Sequence, residues 1–343
     1  MSQQKIRVAI NGFGRIGRAF FKVALEKPEL EVVAVNDLTS IENIAYLLKY
    51  DTAYGTSAFD VKVKSPTMLS VAGKDVLYVS ERDATKLPWG ANDIDLVVES
   101  TGLFTEFAKA KVHLDAGAKR VVITAPTKDE PMADIASGTF LLGVNEDKIG
   151  SCKITSNASC TTNAASPLIA ILHEAIGIDK ALLNTTHGYT ASQALVDGPS
   201  KKDFREGRAA AMNLVPSSTG AAIAVTKVIP ELKGKFDGIS VRVPVVTGSI
   251  VDITFIAKRE TTKDEVNAIL KKAAGEARWA KSFSVTEEQL VSSDIIGSKY
   301  ASIADLNFTR VIGNLVKVLA WYDNEMGYTH ALVEHAIMLG KGI

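Results

Sequence analysis

The sequence predicts an α/β protein: a doubly wound parallel sheet, then an α+β domain with a mostly antiparallel sheet. Three observations lead there. The first half alternates short apolar runs with helical spacing. The second half alternates apolar and polar residues within each strand. The length, 343 residues, exceeds what one compact core usually holds.

Residues 6–10 form an apolar strand, and Ile16, Ala19, Phe20 and Val23 then recur on one helical face until Pro28 closes the helix. Strands at 32–35, 96–98 and 121–124 continue the series, which makes parallel βαβ units. Further on, Ile239, Val241, Val243 and Val245 alternate with Ser240, Arg242 and Pro244. Val251, Ile253 and Phe255 alternate with Asp252 and Thr254, and 316–322 is another strand. Ser166-Pro167 either starts a helix, as cap and first-turn proline, or kinks one already begun at Cys160. Thr262 and Glu265 spell a capping box ahead of Val266, Ile269, Leu270 and Ala273, with Gly275 at the end. Residues 196–216 are polar and resist assignment, which for so long a segment points to function or disorder. A last helix, 329–340, carries Leu332, Val333, Ala336 and Ile337 on one face. The boundary between the halves falls near 156–160, giving domains 1–159 and 160–323.

Lys plus Arg and Asp plus Glu each number 39. That balance argues against dedicated nucleic-acid binding or attraction to anionic membranes, so phosphate binding requires a local cluster. No apolar run reaches the roughly 18 residues of a membrane span. Residues 1–7 carry no signal-peptide pattern, so the expected compartment is the cytoplasm. The two cysteines, Cys152 and Cys160, make no disulfide framework, and no Cys/His spacing suggests a metal.

Gly12-Phe13-Gly14-Arg15-Ile16-Gly17 fits G-x-G-x-x-G between a strand and a helix, and Asp37 follows 20 residues later at the end of the next strand. Gly12 permits the tight turn, Gly14 lets a pyrophosphate approach the backbone, and Gly17 lets helix pack on strand. The helix N-terminus supplies free N–H groups to phosphate. Asp37 accepts ribose hydroxyls and repels a 2′-phosphate, which favours NAD over NADP. The same glycines in a turn without a ligand are the bland alternative, and the full strand–turn–helix context argues against it.

Ser159-Cys160-Thr161-Thr162-Asn163 follows a strand, and small hydroxylated neighbours surround the thiol where a core cysteine has apolar ones. A helix beginning there stabilises a thiolate. His187, in Thr186-His187-Gly188-Tyr189-Thr190, is the natural base, although spacing alone does not pair it with Cys160. His113, His173, His330 and His335 lie on predicted helices, where a structural role is the ordinary one. Ser217-Ser218-Thr219-Gly220 precedes an alanine-rich helix and suits an anion. Arg242 is a charge flanked by valines in an apolar strand, and strands of that kind rarely hold an unpaired charge. Arg205 and Arg208, in the long loop, suit either phosphate or solvent.

These residues together resemble the glyceraldehyde-3-phosphate dehydrogenase family along essentially the whole chain. The resemblance rests on residues 11–18, Leu47-Leu48-Lys49-Tyr50-Asp51, Glu99-Ser100-Thr101-Gly102, residues 156–163, Thr219-Gly220-Ala221-Ala222, Val241-Arg242-Val243-Pro244 and Trp321-Tyr322-Asp323-Asn324-Glu325. It implies a Rossmann-type NAD domain completed by a returning C-terminal helix, 324–343, and a catalytic domain. Cys160 would be the nucleophile and His187 its base. Thr190 and Arg242 would hold the phosphate of a phosphorylated aldehyde. Ser159, Thr161, Thr219 and Gly220 would line a site for inorganic phosphate, with Arg205 beside it. Asn11, Gly12, Phe13, Gly14, Arg15, Ile16, Asp37, Arg82 and Thr124 would contact NAD, and Asn324 the nicotinamide amide. The long loop would reach a neighbouring subunit in a homotetramer. The pattern departs from the family at Ala164, where a second cysteine is common, at Met326, where a tryptophan is common, and at Val246-Thr247-Gly248-Ser249 after Arg242. Rival activities are an erythrose-4-phosphate dehydrogenase and a semialdehyde dehydrogenase. A non-catalytic binding or adhesive role is the rival from another class. Retention of Ser218-Thr219-Gly220, Asp323-Asn324 and the intact Cys160, His187 and Arg242 speaks against them.

Overall fold

Continuous apolar runs are what a sheet covered on both faces requires, and in the computed structural model Val8–Ile10, Leu96–Val98 and Val121–Ile123 are fully buried. The structure describes residues 5–201 and 203–343, so the polar N-terminal residues 1–4 lie outside it. The chain divides into two compact units: residues up to Phe140 with Glu146–Ala158 and Leu332–Ile343, and Leu141–Asn145 with Ser159–Ala331.

The first unit holds a nine-stranded sheet. From one edge its strands are Ser137–Thr139, Ile154–Ser156, Arg120–Ile123, Leu96–Glu99, Ile6–Asn11, Leu30–Asn36 and Lys74–Val79, all parallel, then Met68–Val71 and Val61–Ser65, antiparallel. The two added edge strands carry Lys62, Lys64 and Ser65, and their polar, half-exposed pattern escaped the sequence reading. The C-terminal stretch of the last helix, Met326–Gly340, buries Leu332, Val333, Ala336 and Ile337, and its Gly340 lies against Ile6. His335, wholly buried there, reaches Thr155 Oγ1 from Nε2 at 2.8 Å.

The second unit is a seven-stranded mixed sheet in the order Val215–Ser218, Phe236–Val243, Ile178–Gly188, Ser249–Ala257, Leu315–Tyr322, Ser302–Ile312 and Phe283–Thr286. Four of its six pairings are antiparallel. The buried helix Cys160–Ile176 packs on one face of this sheet. It begins at Cys160 and passes through Pro167, so Ser166-Pro167 does not start it. Ser159 supplies the cap, accepting the Thr162 amide at 3.1 Å. The capping box at Thr262 forms by half: Thr262 accepts the Glu265 amide, but the Glu265 carboxylate turns to Arg259 and Thr261. Residues 196–216 contain one short 3-10 turn, Phe204–Gly207, and the start of an edge strand.

The glycine-rich turn shows why each glycine stands where it does. Gly12 has φ +89°, and a Cβ there would lie 2.7 Å from the Thr101 amide nitrogen. A Cβ on Gly17 would lie 2.3 Å from the Gly12 carbonyl oxygen, whereas Gly14 faces open space. Gly17→Ala is therefore expected to force helix and strand apart at a cost of about 1–3 kcal/mol. Thermal melting should show a lowered midpoint; an unchanged midpoint would show that the contact relaxes freely.

Candidate active site

Sheet register and one helix cap bring three sequence-distant groups together in the second unit. His187 is the penultimate residue of Ile178–Gly188, and alternation turns it inward until 3% of it is exposed. Its register partner on the adjacent parallel strand is Arg242. Cys160 is the first residue of the helix capped by Ser159, where free N–H groups and the positive dipole end favour a negative sulfur. The Cys160 Sγ lies 3.3 Å from His187 Nε2. Arg242 Nη1 lies 2.6 Å from His187 Nδ1, and the same Nδ1 is 2.6 Å from the Gly188 carbonyl oxygen. Behind them Tyr322 packs edge-on to the imidazole at 5.9 Å between ring centres. Its hydroxyl joins Thr161 Oγ1 at 2.9 Å and Thr185 Oγ1 at 2.8 Å, tying the first helical turn to the strand that carries His187.

Hydrogen-bond chemistry limits the tautomer. A carbonyl only accepts and a guanidinium only donates, so Nδ1 satisfies one of its two neighbours at a time. With Nδ1–H donated to Gly188, Nε2 offers its lone pair to the thiol. Burial, then the charge of Arg242, lowers His187 from 6.5 to about 3, against the pull of the Gly188 carbonyl. Burial likewise pushes the Cys160 thiol up, while Arg242 and Thr161 draw it down. The pair thus stands as thiol and neutral imidazole, a nucleophile with its base in place. Tyr322 is pushed upward by burial and by Cys160, and remains a neutral hydrogen-bonding phenol.

The remaining anion-site candidates are placed as follows. Thr190 Oγ1 pairs with Ser192 Oγ at 3.0 Å. Thr219 Oγ1 accepts the Ala221 amide at the start of Ala221–Val228, and Gly220 is the exposed residue before that helix. Ser159 Oγ is taken by Thr162, and Thr161 is buried with its hydroxyl on Tyr322. The Thr161 side chain therefore braces the start of the helix Cys160–Ile176 against Tyr322. Arg205 is exposed and forked onto Asp203, and Arg208 pairs with Asp197, so neither joins the Cys160 cluster. Asn324, 6% exposed, accepts three hydrogen bonds on Oδ1 from Thr247, Gly248 and Ser249.

In the first unit, Asn11, Gly12, Gly14, Asp37 and Arg82 line one groove of about 330 Å³ with Asn36, Glu81, Ser100 and Thr101. Asp37 Oδ2 accepts the Phe13 amide at 2.9 Å, which fixes the carboxylate beside the turn. Arg15 bonds Asp51 at 2.6 Å and lies over the Tyr54 ring, Ile16 is half-buried on the first helix, and Thr124 is half-buried with its amide on the Glu99 carbonyl. Phe13 is buried. Asn11 serves the groove from beneath: its amide donates to buried Glu99 at 2.7 Å and accepts from Asn36 at 2.8 Å. Glu99 also takes His113 Nε2 at 2.9 Å and the Thr101 amide and hydroxyl. Trp89 N–H donates to His113 Nδ1, so His113 carries its proton on Nε2. His113 reads from sequence as a structural helix residue, and its contact with Glu99 appears only in the fold. The open backbone at Gly14, which no Cβ would obstruct, and the carboxylate at Asp37 fit a dinucleotide. Among the described residues no group of His, Cys, Asp and Glu is arranged to hold a metal ion, and no helix is long and apolar enough to cross a membrane.

Comparison with known proteins agrees with this division. Residues 6–107 match the NAD-binding domain of glyceraldehyde 3-phosphate dehydrogenase, and 159–324 match its C-terminal domain. The chain is 48% identical over 340 residues to glyceraldehyde-3-phosphate dehydrogenase 2 of Streptomyces avermitilis, covering 98% of this chain and 99% of that protein. It is 47% identical over 345 residues to glyceraldehyde-3-phosphate dehydrogenase of Mycobacterium avium, with the same coverage. It is 46% identical over 332 residues to glyceraldehyde-3-phosphate dehydrogenase 3 of Saccharomyces cerevisiae, covering 96% and 97%.

Burial is the larger influence on both groups, raising Cys160 and lowering His187, but the Arg242 charge pulls each of them down, so removing it raises both. Arg242→Gln is expected to move the pH midpoint of Cys160 alkylation upward and the His187 titration back toward 6.5. Alkylation-rate profiles against pH check this, and an unmoved midpoint would deny the coupling.

Proposed function

We propose, from the premise that the chain belongs to the glyceraldehyde 3-phosphate dehydrogenase family, that it oxidises glyceraldehyde 3-phosphate with NAD+ and inorganic phosphate to 1,3-bisphosphoglycerate, with Cys160 as nucleophile. The single observation that carries this reading is the 3.3 Å approach of Cys160 Sγ to His187 Nε2, with Arg242 on the other side of the ring.

His187 takes the thiol proton, the sulfur attacks the aldehyde carbon, and the imidazolium passes that proton to the carbonyl oxygen, giving a thiohemiacetal on Cys160 and a neutral His187. The helix N-terminus and the imidazole steady the developing oxygen charge. His187 then receives the hydroxyl proton as the C–H electron pair departs and the carbon becomes a thioester. When bound, NAD supplies the nicotinamide ring that accepts this hydride. A phosphate oxygen attacks the thioester carbon, the C–S bond breaks, and Cys160 leaves as thiolate. Arg242 and Thr190 hold the phosphate of the aldehyde. Thr219 and Gly220, with the capped helix start at Ser159, receive the attacking phosphate. In the first unit Gly12, Gly14, Asp37 and Arg82 hold NAD, with Asn11 underneath, and Asn324 grips the nicotinamide amide. The domain assignment is 1–159 with 324–343 for the cofactor and 160–323 for catalysis. The active form is a cytoplasmic homotetramer; the loop 196–216 and the exposed Leu195, Val196 and Phe204 are suited to a subunit contact.

Cys160→Ser is expected to abolish turnover with NAD+ affinity nearly intact, and His187→Asn to slow turnover roughly 10²–10⁴-fold. Steady-state rates and cofactor titration check both. Turnover should be faster on glyceraldehyde 3-phosphate than on erythrose 4-phosphate and should require added phosphate. Full activity of Cys160→Ser, or preference for the four-carbon aldehyde, would overturn the assignment.

A further inference from the structure

Gly188 carries two hydrogen bonds of opposite sense. Its carbonyl faces His187 Nδ1 at 2.6 Å, and its N–H donates to Ser249 Oγ at 3.2 Å. Ser249 Oγ lies 2.9 Å from Asn324 Oδ1. The Gly188 amide is an obligatory donor, so the Ser249 oxygen accepts there and its single proton is directed to Asn324. The Gly248 amide, another obligatory donor, faces the same Asn324 atom at 3.1 Å, which identifies that atom as the oxygen. Thr247 shares its hydroxyl proton between Asn324 and Asp323. With the Asn324 carbonyl saturated by donors, its amide nitrogen is turned away from this loop, with its two protons unspent on the described residues.

The loop sits close enough to act as a unit. A Cβ on Gly188 would meet the Val245 carbonyl at 3.0 Å and Thr247 Cα at 3.3 Å, so the loop backbone lies tightly on the strand end. Ser249 and Thr247 are each 2% exposed, and Asp323 is fully buried. A buried serine with both its accepting and donating capacity committed is held in one rotamer. This is the segment, Val246-Thr247-Gly248-Ser249, whose departure from the family pattern the sequence left unexplained.

We propose that Ser249 is a positioning residue that links the orientation of the His187 imidazole to that of the Asn324 amide, so that the base and the group gripping the nicotinamide are set by one hydroxyl. The inference rests on the assignment of His187 and Asn324 given above. It concerns how they are aimed, and Ser249 itself touches no reacting atom.

The test compares Ser249→Ala, Ser249→Cys and Ser249→Thr in the full-length protein. Two readouts are independent of turnover: NAD+ affinity by titration, and the pH profile of Cys160 alkylation without cofactor. Losing the hydroxyl is expected to weaken NAD+ binding roughly two- to tenfold, about what one buried hydrogen bond contributes. It is also expected to shift the alkylation profile, because Ser249 no longer anchors the backbone N–H of Gly188, whose carbonyl on the far side of the same Cα faces the imidazole. In turnover kcat should fall more than KM rises. Cys matches Ser in size but is a poor hydrogen-bonder, so Ser249→Cys should resemble Ala, and Ser249→Thr should restore both readouts. A packing role predicts instead that Ser249→Cys behaves as wild type, which would overturn the proposal. So would a Ser249→Ala protein that melts normally yet changes only one readout or neither. If Cys160→Ser abolishes turnover while Ser249→Ala changes nothing, this inference fails alone; if Cys160→Ser stays active, the functional assignment fails first.

Discussion

The proposed chemistry depends on one contact, the 3.3 Å between the Cys160 sulfur and His187 Nε2. Neither residue reaches that position by local propensity. Cys160 is fixed because Ser159 caps the helix there, and His187 because the strand Ile178–Gly188 is paired on both sides, parallel to Phe236–Val243 and antiparallel to Ser249–Ala257. A one-residue slip in either ladder would turn His187 to the opposite face and remove Arg242 from its side. Tyr322, wedged between Thr161 and Thr185, braces helix against sheet at the level of the thiol. The reactive pair is thus held by register, a cap and a buried phenol acting together.

The first unit is organised around a different constraint, the buried carboxylate of Glu99. A buried anion is tolerated only when its lone pairs are met by donors. Asn11, His113 and Thr101 supply them, and through Asn11 the chain of contacts continues to Asn36, which accepts the Glu81 amide at the groove. The lining residues Asn11, Asn36 and Thr101 are therefore held from behind by Glu99 and His113, which do not line the groove. Buried polar networks of this kind are costly when incomplete, which gives every member a role in setting the loop geometry.

Much of this was legible in the sequence because it is written in short-range rules. The βαβ alternation, the glycine turn with Asp37, and the small hydroxylated residues around Cys160 each follow from spacing and residue type. Arg242 was conspicuous as a charge among valines, and the reason lies in register: it stands beside His187, 55 positions away in the chain. What was not legible depended on tertiary context. Pro167 passes through the catalytic helix because a proline inside a helix costs one backbone hydrogen bond and a local clash, and the surrounding core outweighs that loss. The contact of the Thr161 hydroxyl with Tyr322 joins residues 161 positions apart, which no spacing rule shows. Ser249 and Thr247 had no partner that spacing could show, since only the fold brings Asn324 to them. The strands Val61–Ser65 and Met68–Val71 are short, and the first is largely exposed, so the alternation of Val61 and Val63 with lysines was too brief to mark them.

The most direct test of the central claim is whether the oxidised substrate rests covalently on Cys160. Rapid mixing of the protein with NAD+ and glyceraldehyde 3-phosphate in the absence of phosphate should release about one NADH per active site and stop. Mass spectrometry of the quenched protein should then find the acyl group on the peptide bearing Cys160, and added phosphate should discharge it. NADH formation with Cys160 unmodified, or an acyl group there that phosphate leaves in place, would contradict the account.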